Sequence, residues 1–186
     1  MNADTFIYRI DHADKIIDIQ DPKRWCSFAE TNGWVSTPQS GEVLGRKIWD
    51  FIQGHEAQHL YQEIFRRTRA GMHPRPLPFR CDSPGERRYL ELRVKALPGD
   101  HIEFTSTILR KEPRIPVGFL DATVLRSSEF VTICSICKKI KINPKKWVEV
   151  EEGLVHFNFF EVEQIPGLSH GLCDACYHAA ISKPRA

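Results

Sequence analysis

Apolar and polar positions change period along this chain, and each change marks a new element. Phe6-Ile7-Tyr8-Arg9-Ile10 and Lys15-Ile16-Ile17-Asp18-Ile19 are β-branched and aromatic runs joined by the polar Asp11-His12-Ala13-Asp14. They predict an opening β-hairpin. Asp21-Pro22 then reads as a helix N-cap and first helical position, with Trp25, Phe28 and Ala29 on one face and Gly33 as the stop. Val43, Leu44, Ile48, Trp49 and Ile52 predict a second, short helix. The strongest helical signal runs from His55 to Ala70, where Ala57, Leu60, Tyr61, Ile64 and Phe65 share one face and Gly71 ends the pattern. Arg66, Arg67 and Arg69 crowd its last turn, where the helix dipole favours positive charge.

After Pro74 and Pro76 the period shortens to two. Leu77, Phe79 and Cys81 alternate with polar residues or proline, as do Leu90, Leu92, Val94 and Ala96, and Ile102, Phe104 and Ile108 follow. Ser83-Pro84-Gly85 and Pro98-Gly99-Asp100 supply the turns of a three-stranded antiparallel meander. The class this predicts is α+β, a five-stranded antiparallel sheet with helices between its second and third strands. Glu112-Pro113-Arg114-Ile115-Pro116 breaks the pattern and divides the chain into a first domain over 1–112, a connector over 113–131 and a small module over 132–186. In that module Trp147 to Val150 reads as a strand, Leu154 to Phe160 as a small core, and Cys173 to Ile181 as a helix.

Composition narrows the classes. A hydrophobic content of 41% suffices for a packed core, and a net charge of +2 from interspersed residues announces no polyanion-binding surface. No apolar run is long enough to span a bilayer, and Met1 to Thr5 lack the pattern of a signal peptide, so a cytoplasmic location is expected.

Candidate chemistry lies in the last fifty or so residues. Cys134-Ser135-Ile136-Cys137 and Cys173-Asp174-Ala175-Cys176 are two Cys-x-x-Cys pairs. Each spacing turns both sulfurs toward one point, and two pairs make the closed S4 donor set of structural zinc, with iron an alternative that spacing does not separate. Reduced cytoplasmic thiols favour ligation over disulfides. Lys138, Lys139 and Lys141 lie where they could offset the thiolate charge. Cys26 and Cys81 read as small buried hydrophobes, and His170 as a hydrogen-bonding neighbour of the second pair.

The order strand–strand–helices–strand–strand–strand resembles the PAS fold. Tyr8-Arg9-Ile10-Asp11 with Ile16-Ile17-Asp18, Val43-Leu44-Gly45-Arg46-Lys47-Ile48-Trp49-Asp50-Phe51-Ile52, and Phe79-Arg80-Cys81-Asp82-Ser83-Pro84 carry the likeness over about residues 5–111. The tail is similar to a zinc-ribbon-like appendage found after bacterial PAS or receiver domains. Cys134 to Lys141, Trp147 and Ser169 to Cys176 carry that match, with Asp174 where the family often has proline.

The resemblance implies a non-catalytic sensory or interaction module in signalling, working with a protein partner or as a homodimer, and no enzyme. Trp25, Phe28, Trp49, Tyr61 and Phe104 are the candidate lining of a pocket whose ligand the sequence does not name. The flavin-adduct signature of light-oxygen-voltage domains is missing, and His55 and His59 are the only histidines near the long helix to offer a haem ligand. A redox or gas sensor with haem, flavin or thiolate-ligated iron stays as one alternative. Nucleic-acid binding is another, through Lys138, Lys139, Lys141, Lys145, Lys146 and Trp147, although Glu149, Glu151 and Glu152 follow at once and argue for a solvated face.

Overall fold

A computed structural model describes residues 5–31, 43–121, 123–159 and 164–181. The expected helix stop at Gly33, the side chain of Ala29 and the end of the apolar segment at Phe160 lie outside the described residues.

The opening hairpin forms from β1 (Thr5–Ile10) and β2 (Ile16–Gln20). Asp11 makes the turn: its Oδ1 accepts from the Ala13 and Lys15 amides, and Asp14 takes a left-handed φ of 62°. Asp21 caps α1 (Pro22–Thr31) by accepting the Arg24 amide at 3.1 Å. The apolar stretch from Val43 to Ile52 is helical only in part, at Val43 and in the single 3-10 turn Ile48–Asp50, a correction to the continuous short helix expected. The reason lies in backbone pairing. Gly45 N–H donates to Ile16 O and Ile16 N–H to Arg46 O, so these groups are committed to the start of β2 and a helical ladder cannot run on through them.

The long helix, α2 (His55–Arg69), buries Ala57, Leu60, Ile64 and Phe65 against the sheet. Behind it run β3 (Leu77–Arg80), β4 (Glu86–Leu97) and β5 (His101–Pro113). All pairings are antiparallel and the five-stranded order is β2-β1-β5-β4-β3. Register aligns the inner face in rows. Tyr8 lies opposite Phe104 and Phe104 opposite Val94, while the next row runs Phe6, Ser106, Leu92 and Leu77. Tyr8 and Phe104 stack with centroids 4.6 Å apart, and Phe65 meets Phe104 edge-on at 5.4 Å.

The second sheet contains β6 (Arg126–Cys134), β7 (Ile140–Asn143), β8 (Lys146–Val148) and β9 (Ile165–Gly171), in the order β8-β7-β6-β9. β6 begins inside the segment expected to be a connector and pairs in parallel with β9. Between β8 and β9 comes α3 (Val150–His156), and α4 (Asp174–Ile181) follows β9. Val117, Phe119, Val131, Ile140, Val150 and Leu154 form this module's own buried core.

The two halves share a second core. Cys134, Ile136 and Cys173 belong to the same buried cluster as Leu60, Phe65, Leu92 and Phe104. Charge joins them as well. Asp82, with its side chain only 1% exposed, pairs with Arg80 and Arg114, and those arginines reach Glu149 and Glu151 near and within α3. At Arg80 the bonds from Asp82 and Glu149 outweigh burial and raise the guanidinium's pKa, whereas at Arg114 burial prevails and lowers it.

Candidate functional site

The first cysteine pair sits on the turn that ends β6. Lys138 takes a left-handed φ of 60°, and its N–H donates to Cys134 O at 3.0 Å, closing the knuckle. The Cys134 N–H answers with a 2.8 Å bond to Lys139 O. The second pair spans the entry to α4. The parallel pairing of β6 with β9 brings the two together, because Cys134 stands opposite Gly171 and the Ser135 N–H donates to Gly171 O at 2.9 Å.

Cys134, Cys137, Cys173 and Cys176 thus place four sulfurs within 4.8 Å of one another. Sulfurs about 2.3 Å from a central tetrahedral ion would stand about 3.8 Å apart. Cys137 Sγ and Cys173 Sγ are 3.8 Å apart. The donor set therefore fits a four-coordinate metal ion. Its electrostatics point the same way. Thiol hydrogen bonds from Cys137 and Cys176 hold Cys134 far below the ordinary thiol range, and their counterpart pushes Cys137 up to about 12 and Cys176 higher still. Four neighbouring thiols cannot all ionise unless a cation compensates them.

Beside this cluster lies a cavity of about 780 Å³. Its floor is the inner face of the first sheet, through Phe6, Tyr8, Leu90, Leu92 and Ser106; Trp25 and Phe28 of α1 and Leu60 and Tyr61 of α2 wall it. The cysteine module itself forms a further wall, supplying Ser135, Ile136, Lys138, His170 and Leu172. Ser106 falls between Phe6 and Leu92 in a row of large side chains, and its small size leaves part of the space.

The knuckle is held over this opening from two sides. The Arg80 N–H at the end of β3 donates to Ile136 O at 2.7 Å, and Gly54, before α2, abuts His170 of β9. Burial shifts the titrating groups of the wall. It raises Tyr8 far above the ordinary phenol range and Tyr61 to about 12, raises the Cys81 thiol, and lowers the Lys138 ammonium and the His170 imidazole.

Of the five residues expected to line a pocket, Trp25, Phe28 and Tyr61 do so. Trp49 and Phe104 do not. Trp49 packs on Phe65 at 5.1 Å and donates its Nε1–H to Asp14, and Phe104 is wholly buried under the stacked Tyr8. Sequence reasoning missed Ser106, Ser135, Lys138 and His170. A serine interrupting the alternation of Ile102, Phe104 and Ile108 was the one local signal; the others depend on how the module docks. Of the lysine–tryptophan group weighed for nucleic acid, Lys141 lies over the Trp147 ring and Lys146 pairs with Glu152 on the surface.

Among solved structures, the chain is similar to the Cronobacter turicensis RpfR quorum-sensing receptor PAS domain in complex with C12:0, at 15% identity and a TM-score of 0.38, covering 59% of this chain and 98% of that one. It is similar also to the PAS domain of an HTR-like protein from Haloarcula marismortui, at 18% identity and a TM-score of 0.35, covering 61% and 84%. A domain of an HTR-like protein from Haloarcula marismortui ATCC 43049 matches at 10% identity and a TM-score of 0.33, covering 57% and 98%. No protein-family model matches the chain, and no curated protein matches it in sequence. Among the described residues no helix is long and apolar enough to cross a membrane.

Proposed function

We propose that this chain is a non-catalytic, PAS-type sensory module whose ligand chamber is completed by a structural zinc knuckle, and that it passes its signal to another protein by contact. One observation carries the reading: the cavity of the first domain is walled on one side by Ser135, Ile136 and Lys138, the residues between and just after two of the four clustered cysteines. Cys134, Cys137, Cys173 and Cys176 would hold the ion. Bound there with four protein ligands, zinc supplies a crosslink and no open position for chemistry. A ligand in the chamber would press on the knuckle, and the knuckle is continuous with the second sheet. That gives occupancy a physical route to the far surface.

The test is metal analysis and an absorption spectrum of the freshly purified chain. One zinc per chain with no band above the aromatic region supports the reading. Charge-transfer bands would identify thiolate-ligated iron and turn the proposal toward redox sensing. A metal-free chain whose tail resists protease as well as the loaded one would end it.

A further inference from the structure

The floor of the chamber has one low point. Strand register sets Phe6, Ser106, Leu92 and Leu77 side by side, in the row next to Tyr8, Phe104 and Val94. Ser106 follows the inward Phe104 by two residues, so its side chain points the same way, and it lines the cavity with Phe6 and Leu92. A serine between two large apolar neighbours leaves a depression that a larger residue would have closed. Phe28 of α1 borders it, with its ring 4.8 Å from that of Phe6. Among the described residues the Ser106 hydroxyl has no hydrogen-bond partner, and a hydroxyl can both donate and accept.

The charges of the wall are answered within the protein. Asp50, the one carboxylate of the lining, pairs with Arg46 at 3.2 Å. Lys138, its one ammonium, faces the Cys134 and Cys137 thiolates together with Cys81 and Asp82. Arg88, against the Phe28 ring, donates to the Cys81 carbonyl and lies 3.7 Å from Glu86. Burial keeps the Tyr8 and Tyr61 phenols protonated. A charged guest would therefore give up its hydration without meeting a free counter-charge, and burying an unpaired charge costs far more than burying a neutral hydroxyl. An uncharged guest escapes that penalty and gains from the apolar surface it covers. At about 780 Å³ the space falls within the roughly 300–1,000 Å³ of small-molecule sites.

We propose that the chamber binds an uncharged, largely apolar small molecule carrying one neutral hydrogen-bonding group, a hydroxyl or a carbonyl. Ser106 engages that group while the apolar body lies among Phe6, Phe28, Leu60 and Leu92. Ser106 is thus both the residue that makes room and the residue that selects. The assignment rests on the sensory reading above and adds to it the chemical class of the ligand.

Naphthylmethanol, naphthoate, naphthylmethylammonium and methylnaphthalene, all substituted at the same ring position, share one apolar body and differ in charge and in hydrogen bonding. Each is titrated calorimetrically into the full chain with its metal retained. Naphthylmethanol should bind at least tenfold tighter than either ion. Ser106→Ala should weaken naphthylmethanol about fivefold and leave methylnaphthalene unchanged, because only the alcohol loses a bond. Ser106→Leu should weaken both uncharged compounds at least tenfold while the urea midpoint holds or rises, because the new side chain fills empty space.

Equal or tighter binding of naphthoate or naphthylmethylammonium would overturn the uncharged class and leave the chamber and the sensory reading standing. Naphthylmethanol binding unmoved by Ser106→Ala would overturn Ser106 as the contact. A lower urea midpoint in Ser106→Leu would show that other side chains already occupy the place above Ser106, and would overturn the site at this position of the floor. No binding of any of these compounds by the metal-loaded chain would overturn the assignment together with the ligand chamber on which the sensory reading depends.

Discussion

Gly54 and His170 meet so closely that a Cβ on Gly54 would overlap the His170 carbonyl oxygen. The contact joins the start of α2 to β9, and so the first domain to the cysteine module. Gly54 also has a φ of +87°, which L side chains rarely adopt. Gly54→Ala should therefore destabilise the chain by about 2–4 kcal/mol, combining backbone strain with overlap against an atom that cannot swing aside. A urea titration reads this as a lower midpoint. An unmoved midpoint would mean that the two halves are not held together at this point.

The Asp82 carboxylate lies between Arg80 and Arg114, whose side chains are only 8% and 6% exposed. Removing its charge by Asp82→Asn leaves two buried guanidinium groups facing each other with only the outer Glu149 and Glu151 to compensate. The expected loss is about 3–5 kcal/mol, the usual cost of breaking a buried pair from one side. Thermal and denaturant unfolding check it, and a loss below about 1 kcal/mol would show that Glu149 and Glu151 take over.

Metal removal should be felt in the first domain. If the module over 132–186 were independent of the first domain, Cys134→Ser would unfold the tail and spare the rest. Packing predicts otherwise, because Cys134, Ile136 and Cys173 are buried in one cluster with Leu60 and Phe104, and Ile136 O accepts the Arg80 amide of β3. In Cys134→Ser, or after chelation, amide exchange should accelerate in β3 and at the start of α2 as well as in the tail. β5, paired along both edges, should change least. Unchanged protection of β3 would refute the shared core.

Alkaline pH should weaken the fold through Tyr61. Burial raises its phenol from 10.0 to about 12, so the folded chain keeps a proton that the unfolded chain releases. Stability from this group is then constant below about pH 10 and falls as pH rises toward about 12. The loss approaches about 2 kcal/mol at the end of that window. Tyr61→Phe should show a shallower decline in unfolding midpoint against pH. An identical slope would place the alkaline sensitivity elsewhere.

Much of the architecture is legible in short-range pattern. The period of 3.6 over Ala57, Leu60, Ile64 and Phe65 places α2 within a residue of its observed ends, and the alternation of Leu90, Leu92 and Val94 identifies an inward strand face. The failures share a cause. Val43 to Ile52 looks helical until the backbone of Ile16 claims its hydrogen-bonding groups, which no local period encodes. Trp49 and Phe104 look like pocket residues because aromatic size marks burial, not whether the buried side faces other atoms or a void. Lys138 is one lysine in a basic run, and only the docking of the knuckle on β3 separates it from Lys139.

The parallel alignment of β6 with β9 sets an order of events for the nascent fold. Neither strand can find the other through a tight reversal, since the chain must first travel through β7, β8 and α3 and return in the same direction. The first cysteine pair can close its own turn early, whereas the second reaches it only after that long excursion. Capture of an ion by all four sulfurs would therefore wait on that return of the chain and act as a checkpoint on it.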